Sequence, residues 1–150
     1  MFIIIDIFTT TLFKIIAMPR PKRKRTIEIP PLMEGFKPFG IPMTHLDPVI
    51  LLYEEYESLR LSDYVGLTQE QAAEQMNVSR PTFTRIYRKA RQTMAQAFVE
   101  GKAIFIEGGN YHTDKHWYRC EGCMNLNITT AATESCDHCD SKALRSLNKL

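Results

Sequence analysis

The sequence predicts a mainly α fold: a helix-turn-helix helical domain with a basic N-terminal arm and a small C-terminal zinc-ribbon-like β element. Three observations predict it. Residues Leu67 to Phe98 read as a short helix, a tight turn and a longer basic helix. Ahead of them, five of the six positions from Arg20 to Arg25 are basic. Near the C-terminus, four cysteines fall in two close pairs. The expected divisions are residues 1–17 as a non-native extension or disordered tail, 18–47 as basic arm and proline-rich extended segment, 48–107 as the helix-turn-helix domain, and 108–150 as the four-cysteine module.

With 150 residues, 44% hydrophobic and 24% charged, the chain has room for one modest core or two small ones. No cleavable export signal is convincing, so a reducing cytoplasm is expected. There, paired cysteines are metal ligands more often than disulfides.

Taken in order, the opening run Met1 to Ala17 is apolar, but it is shorter than the roughly 20 residues that span a bilayer. Asp6 and Lys14 interrupt it, and no positive segment precedes it. It reads as an extension upstream of a natural start at Met18, and no membrane partner is expected. In the run that follows, Arg20, Lys22, Arg23, Lys24 and Arg25 form an arm suited to phosphates or the minor groove. From Thr26 to Leu46, Pro30, Pro31, Pro38 and Pro42 exclude helix, while Ile27, Leu32, Phe36 and Phe39 are too apolar for disorder. An extended segment packed on the helices is expected. Asp47-Pro48 then reads as an N-cap and first-turn proline, opening a supporting helix to Leu61 with Leu51, Leu52, Tyr56 and Leu59 buried.

Thr68 with Gln71 three residues later is a capping box, which starts the next helix near Gln69. Asn77 tolerates the left-handed conformation a helix end needs, Val78 tucks inward, and Ser79 caps the following helix, whose first turn accepts Pro81. Ala73 lets the two helices cross closely, and Val78 and Phe83 plug the crossing. On the second helix, Phe83, Ile86, Tyr87, Ala90, Met94 and Ala97 make one apolar stripe. Arg85, Arg88 and Gln92 fall opposite, with Thr84 and Lys89 on the shoulders. Asn77 to Val99 contains no acidic residue and five basic ones. A solvated helix face would mix signs; one sign suits a polyanion.

This predicts a sequence-specific regulator whose basic helix reads the major groove of double-stranded DNA. Arg85 and Arg88 are the candidates for guanine edges. Arg80 and Thr84 share the edge or hold phosphates, Thr82 is a further DNA-binding candidate, and Lys89, Arg91 and the arm neutralise backbone. The alternatives are an adaptor docking on RNA polymerase, and a metal or redox sensor; a homodimer would suit a two-fold site. No enzyme is expected, because no carboxylate pair, activated nucleophile or phosphate-cradling loop stands out.

After Glu100-Gly101, residues Ala103 to Ile106 read as a short strand-like run and Gly108-Gly109 as a hinge or tight turn. Cys120-x2-Cys123, twelve residues, then Cys136-x2-Cys139 is the spacing of an all-cysteine tetrahedral site, for which structural zinc is the expected ion and iron the alternative. His112, His116 and His138 are expected at the surface. The glycine often found just after each knuckle's second cysteine is replaced by Met124 and Asp140, which argues against the standard turn geometry but not against metal.

Several runs carry a family resemblance: Met18-Pro19-Arg20-Pro21, Phe36 through Pro42, Tyr53 through Glu57 with Leu59-Arg60-Leu61, Gly66-Leu67 through Ser79-Arg80-Pro81-Thr82-Phe83, and Gly101-Lys102. Over Met18 to about Gly109 the chain resembles an uncharacterised family of small prokaryotic predicted DNA-binding proteins that open Met-Pro-Arg-Pro. The resemblance implies a helix-turn-helix similar to the promoter-reading last region of sigma factors. The cysteine-rich end departs from that pattern.

Overall fold

The capping box at Thr68 forms as the sequence requires. In the computed structural model, which describes residues 24–42, 44 and 47–148, Gln71 N–H donates to Thr68 Oγ1 at 3.3 Å and Thr68 N–H donates to Gln71 Oε1 at 3.0 Å. These bonds start α2 (Gln69–Gln75). It ends in a Schellman turn: Asn77 N–H donates to the Glu74 carbonyl and Val78 N–H to that of Ala73, with Asn77 at φ 53°. Ser79 precedes α3 (Arg80–Glu100), although its hydroxyl bonds Thr82 Oγ1 at 2.9 Å rather than the helix backbone. Gly101, at φ 64°, closes α3 with the left-handed residue a helix C-terminus favours.

The full order is β1 (Arg25–Thr26), β2 (Gly35–Phe36), β3 (Val49–Leu51), α1 (Tyr53–Leu59), a π turn (Arg60–Tyr64), α2, α3, β4 (Ile104–Ile106), β5 (Tyr111–His112), β6 (His116–Cys120), β7 (Leu126–Thr129) and β8 (Leu144–Ser146). The expectation of a mainly α molecule is therefore overturned: among the described residues 34% helix stands against 20% strand, in three small sheets. The strands are two to five residues long, and two of the sheets join segments far apart in sequence. β3 pairs in parallel with β4, β2 lies antiparallel on β4's other edge, and β1 pairs in parallel with β5. Runs this short carry almost no local signal, since distant pairing supplies what holds them.

The supporting helix also starts later than expected. Instead of capping a helix, Asp47-Pro48 leads into β3, where Ile50 is 51% exposed and Leu51 only 2%. That alternation is a strand's, and β-branched Val49 and Ile50 suit it. Helix α1 begins after Leu52, whose N–H donates to Glu55 Oε2 at 3.1 Å.

Three apolar clusters hold these elements. Leu51, Ile104 and Ile106 of the β2–β4–β3 sheet pack on Ala90 and Ala97 of α3. Phe83 sits among Ala72, Ala73, Met76 and Leu61, the crossing of α2 and α3 foreseen from the small residues. Ile27, Tyr53 and Trp117 join the N-terminal segment, α1 and β6. Less expected is the inside of α1, where Glu54, Glu55 and Glu57 are buried. Each has a partner: Glu54 accepts Asn110 N–H at 3.1 Å, Glu55 meets Lys89 Nζ at 3.1 Å, and Glu57 holds Arg60 through two bonds of 2.7 and 2.8 Å. A Cβ at Gly109 would collide with the Glu54 carboxylate, so this close approach requires glycine.

Candidate metal centre and nucleic-acid face

The three antiparallel strands β7–β6–β8 carry two turns built alike. In the first, Met124 N–H donates to the Cys120 carbonyl and Cys120 N–H to that of Asn125; in the second, Asp140 N–H donates to the Cys136 carbonyl and Cys136 N–H to that of Ser141. Gly122 N–H points at Cys120 Sγ (3.3 Å) and His138 N–H at Cys136 Sγ (3.4 Å). The twelve-residue connection folds one knuckle against the other, so all four sulfurs lie within 4.8 Å of one another. Cys120 Sγ is 3.6 Å from Cys139 Sγ, and Cys123 Sγ is 3.7 Å from Cys136 Sγ.

Zinc–sulfur bonds of about 2.3 Å place tetrahedral sulfurs about 3.8 Å apart, so this donor set fits zinc. Cys120, Cys123, Cys136 and Cys139 are thus able to hold a metal ion such as zinc. His112, His116 and His138 are exposed and outside the cluster.

The thiols are unequal before any metal arrives. The His138 N–H lowers the Cys136 thiol to about 6, helped by the Cys139 N–H and the Asn127 amide. Hydrogen bonding from the Cys123 N–H lowers Cys120 against the opposing effect of burial. For Cys139 the Ser141 N–H pulls downward, but the Cys123 and Cys120 sulfurs beside it dominate and push it up to about 12. These four sulfurs would hold a divalent cation as thiolates, so Cys139 would give up on binding the proton that this crowding retains.

Asn127 is the residue that sequence reasoning missed. Buried on β7, it donates from Nδ2 to Cys136 Sγ at 3.5 Å and accepts the Asp137 N–H at 2.9 Å. It ties one knuckle to the sheet and tunes a ligand, as partners behind metal ligands do. Only its place on the same strand as the loop between the cysteine pairs could have pointed to it.

The knuckle geometry corrects the expectation drawn from the missing glycines. Met124 and Asp140 adopt φ 61° and 56°, the left-handed conformation that glycine usually supplies. Met124→Gly should therefore stabilise the zinc-loaded protein by about 0.5–1 kcal/mol, since the relieved strain outweighs the added chain entropy. The Met124 side chain is 65% exposed and contributes little packing to lose. Urea unfolding checks this, and a lower midpoint would refute it.

On α3, Phe83, Ala90 and Ala97 are buried and Ile86, Tyr87 and Met94 half-buried, while Arg85, Arg88 and Gln92 are exposed. Several of the other candidates have local partners. Arg80 Nε meets Glu70 at 2.6 Å, Lys89 meets Glu55, and Thr84 Oγ1 donates to Gln69 Oε1 at 2.7 Å. Thr82 Oγ1 accepts a long bond from Arg85 Nη2, 3.4 Å. Arg85 and Arg88 make no ion pair among the described residues. Lys24 is exposed; Arg25 is half-buried in β1, next to Thr26, whose N–H donates to the Met76 carbonyl at 3.0 Å. Arg20, Lys22 and Arg23 lie outside the described residues, as do residues 1–17. No helix among the described residues is long and apolar enough to cross a membrane.

Fold and site together define a small mixed helix-and-sheet protein with a four-cysteine cluster and a cationic helical face. The chain belongs to the family described as "Protein of unknown function DUF134", whose model matches residues 15–114. It is 56% identical over 94 residues to a UPF0251 protein of Thermoanaerobacter pseudethanolicus, covering 63% of this chain and 80% of that one. A UPF0251 protein of Moorella thermoacetica is 44% identical over 128 residues, covering 85% and 86%. No solved structure matches the chain.

Proposed function

We propose that the chain is a sequence-specific transcriptional regulator that reads double-stranded DNA with α3. The observation that carries this is the outer face of α3, which holds no acidic residue from Arg80 to Val99 and from which Arg85 and Arg88 project while the opposite face is buried against α1, α2 and β3. In this reading the first turns of α3 enter the major groove, and the two guanidinium groups bond guanine O6 and N7. Arg80, Thr82 and Thr84 line the same end. Lys89 stands at the edge of the face, shared with Glu55, and so serves the phosphate backbone rather than base edges.

The docking of Thr26 on the carbonyl of Met76 supports a role for the basic run. Thr26 thereby sets Lys24 and Arg25, its neighbours in the chain, close to the α2–α3 turn. The metal-binding knuckles are structural in this scheme, and no catalytic role is assigned. A homodimer on a two-fold site and a contact with RNA polymerase are compatible with it, and a palindrome among selected duplexes would favour the dimer.

Gel shifts on a duplex selected from a random pool and on unrelated duplexes test the proposal. Arg85→Ala should cost about 1–3 kcal/mol on the selected site and relax one base position, whereas Lys22→Ala should weaken all duplexes alike and flatten the salt dependence. Equal losses everywhere for Arg85→Ala would remove its role in specificity. Salt-insensitive, weak binding to every duplex would favour a protein-docking adaptor.

A further inference from the structure

Where the cysteine-bearing sheet meets the rest of the fold lies an open cleft of about 400 Å³, within the size range of small-molecule sites. Separate parts of the chain line it: Pro30 and Pro31 after β1, Tyr53 from α1, Phe105 from β4, Arg119 from β6, and Leu147 just after β8. Its apolar walls surround four charged side chains, Glu34, Glu107, Arg119 and Arg145.

The two arginines are placed by strand register. β6 and β8 are antiparallel and set Arg119 directly opposite Arg145. Like charges in that position cost stability unless negative charge compensates them. Arg145 has such compensation from Glu34, 3.1 Å away. Arg119 is half-buried, and its side chain makes no ion pair or hydrogen bond among the described residues. A guanidinium held at the wall of an apolar cleft, with its five N–H donors uncommitted, calls for an acceptor of matching planar shape.

We propose that this cleft binds a small organic monocarboxylate, its carboxylate on Arg119 and its apolar body against Pro30, Pro31 and Phe105. Charge selects this class over phosphates. The four charged groups of the cleft sum to zero, and a single negative charge adds little repulsion from Glu34 and Glu107. A dianion would be attracted and repelled twice as strongly alike, with no net gain, and would lose more hydration on entering apolar walls. The ligand would touch the segment that carries the basic run, the first helix and the cysteine-bearing sheet at once, and so tighten all three.

Titration of the 15N-labelled full chain with benzoate, and in parallel with inorganic phosphate, tests this. Millimolar benzoate should give saturable shifts at the Arg119 Nε–Hε signal and at the Glu107, Ser146 and Leu147 amides, with phosphate far weaker. Arg119→Gln should weaken benzoate about tenfold or more, as expected for a lost charge-assisted hydrogen bond, and Arg119→Lys should retain part of the affinity. Phosphate as effective as benzoate, shifts centred elsewhere, or no saturable shift in the unmodified chain would each overturn the proposal. Should Arg119→Gln fail to fold, the unmodified chain and Arg119→Lys still decide it.

Discussion

Stripping the metal from the zinc-loaded protein with a chelator should unfold β6, β7 and β8 while leaving α2 and α3 helical, and Cys136→Ser should do the same without chelator. Beyond Trp117, which packs on Ile27 and Tyr53, the sheet that carries the cysteines has little else to hold it. Its buried side chains are Trp117, Asn127 and the two ligands Cys120 and Cys136, and some 30 residues cannot bury a self-sufficient core. Structural zinc in comparably small units contributes an apparent binding free energy of about 10–16 kcal/mol, all of it available to folding. α2 and α3 instead rest on Phe83, Met76, Ala72 and Leu61, none of which touches the knuckles. Amide exchange reads the result: protection should vanish from His116–Cys120 and Leu126–Thr129 and persist in Arg80–Glu100. Persistent protection in β6 after chelation would show that the sheet folds without metal.

The same centre gives a pH dependence of known sign. Each ligand must lose its proton, so metal binding releases protons and weakens as pH falls. Cys136, already lowered to about 6, gives up its proton first, whereas Cys139, raised to about 12 by its sulfur neighbours, yields one only to the metal. Acidification should therefore mimic the chelator, with loss of protection in β6 and β7 as the pH falls, and an unchanged exchange pattern after acid release of the metal would refute it.

What was legible in the sequence were the features whose causes are local. Thr68 and Gln71 are one helical turn apart, Asn77 and Val78 close that helix through their own backbone, and the stripe from Phe83 to Ala97 repeats with the helical period. The cysteine spacing likewise specified a turn, and that turn forced Met124 and Asp140 into a conformation their side chains resist. What was not legible depends on partners far away. Val49 to Leu51 looks like a helix start until Ile104 to Ile106 lies beside it, and Arg25 looks like a free arm residue until Tyr111 pairs with it. Glu54, Glu55 and Glu57 read as a solvated acidic stretch. They are buried because Asn110, Lys89 and Arg60 come to meet them.

That burial leads to the second large effect, a loss of about 3–5 kcal/mol in unfolding free energy for Glu57→Leu. Glu57 is 1% exposed and Arg60 14% by side chain. The carboxylate takes both Nε and Nη2 of the guanidinium, and its Oε1 also receives a long bond from Glu28 N–H at 3.4 Å. Removing it leaves a positive charge in a place water scarcely reaches, and the cost is that of an uncompensated charge rather than of one lost contact. Arg60 opens the π turn that brings Leu61 under Phe83, so the penalty falls on the junction that orients α2 and α3. The double variant Glu57→Leu, Arg60→Met separates charge from shape: with neither charge present, stability should return to within about 1–2 kcal/mol of the starting protein. Urea midpoints for the two single variants and the double complete the cycle. If the double were as unstable as Glu57→Leu alone, the defect would lie in packing, and the pair would hold the turn by shape instead of charge.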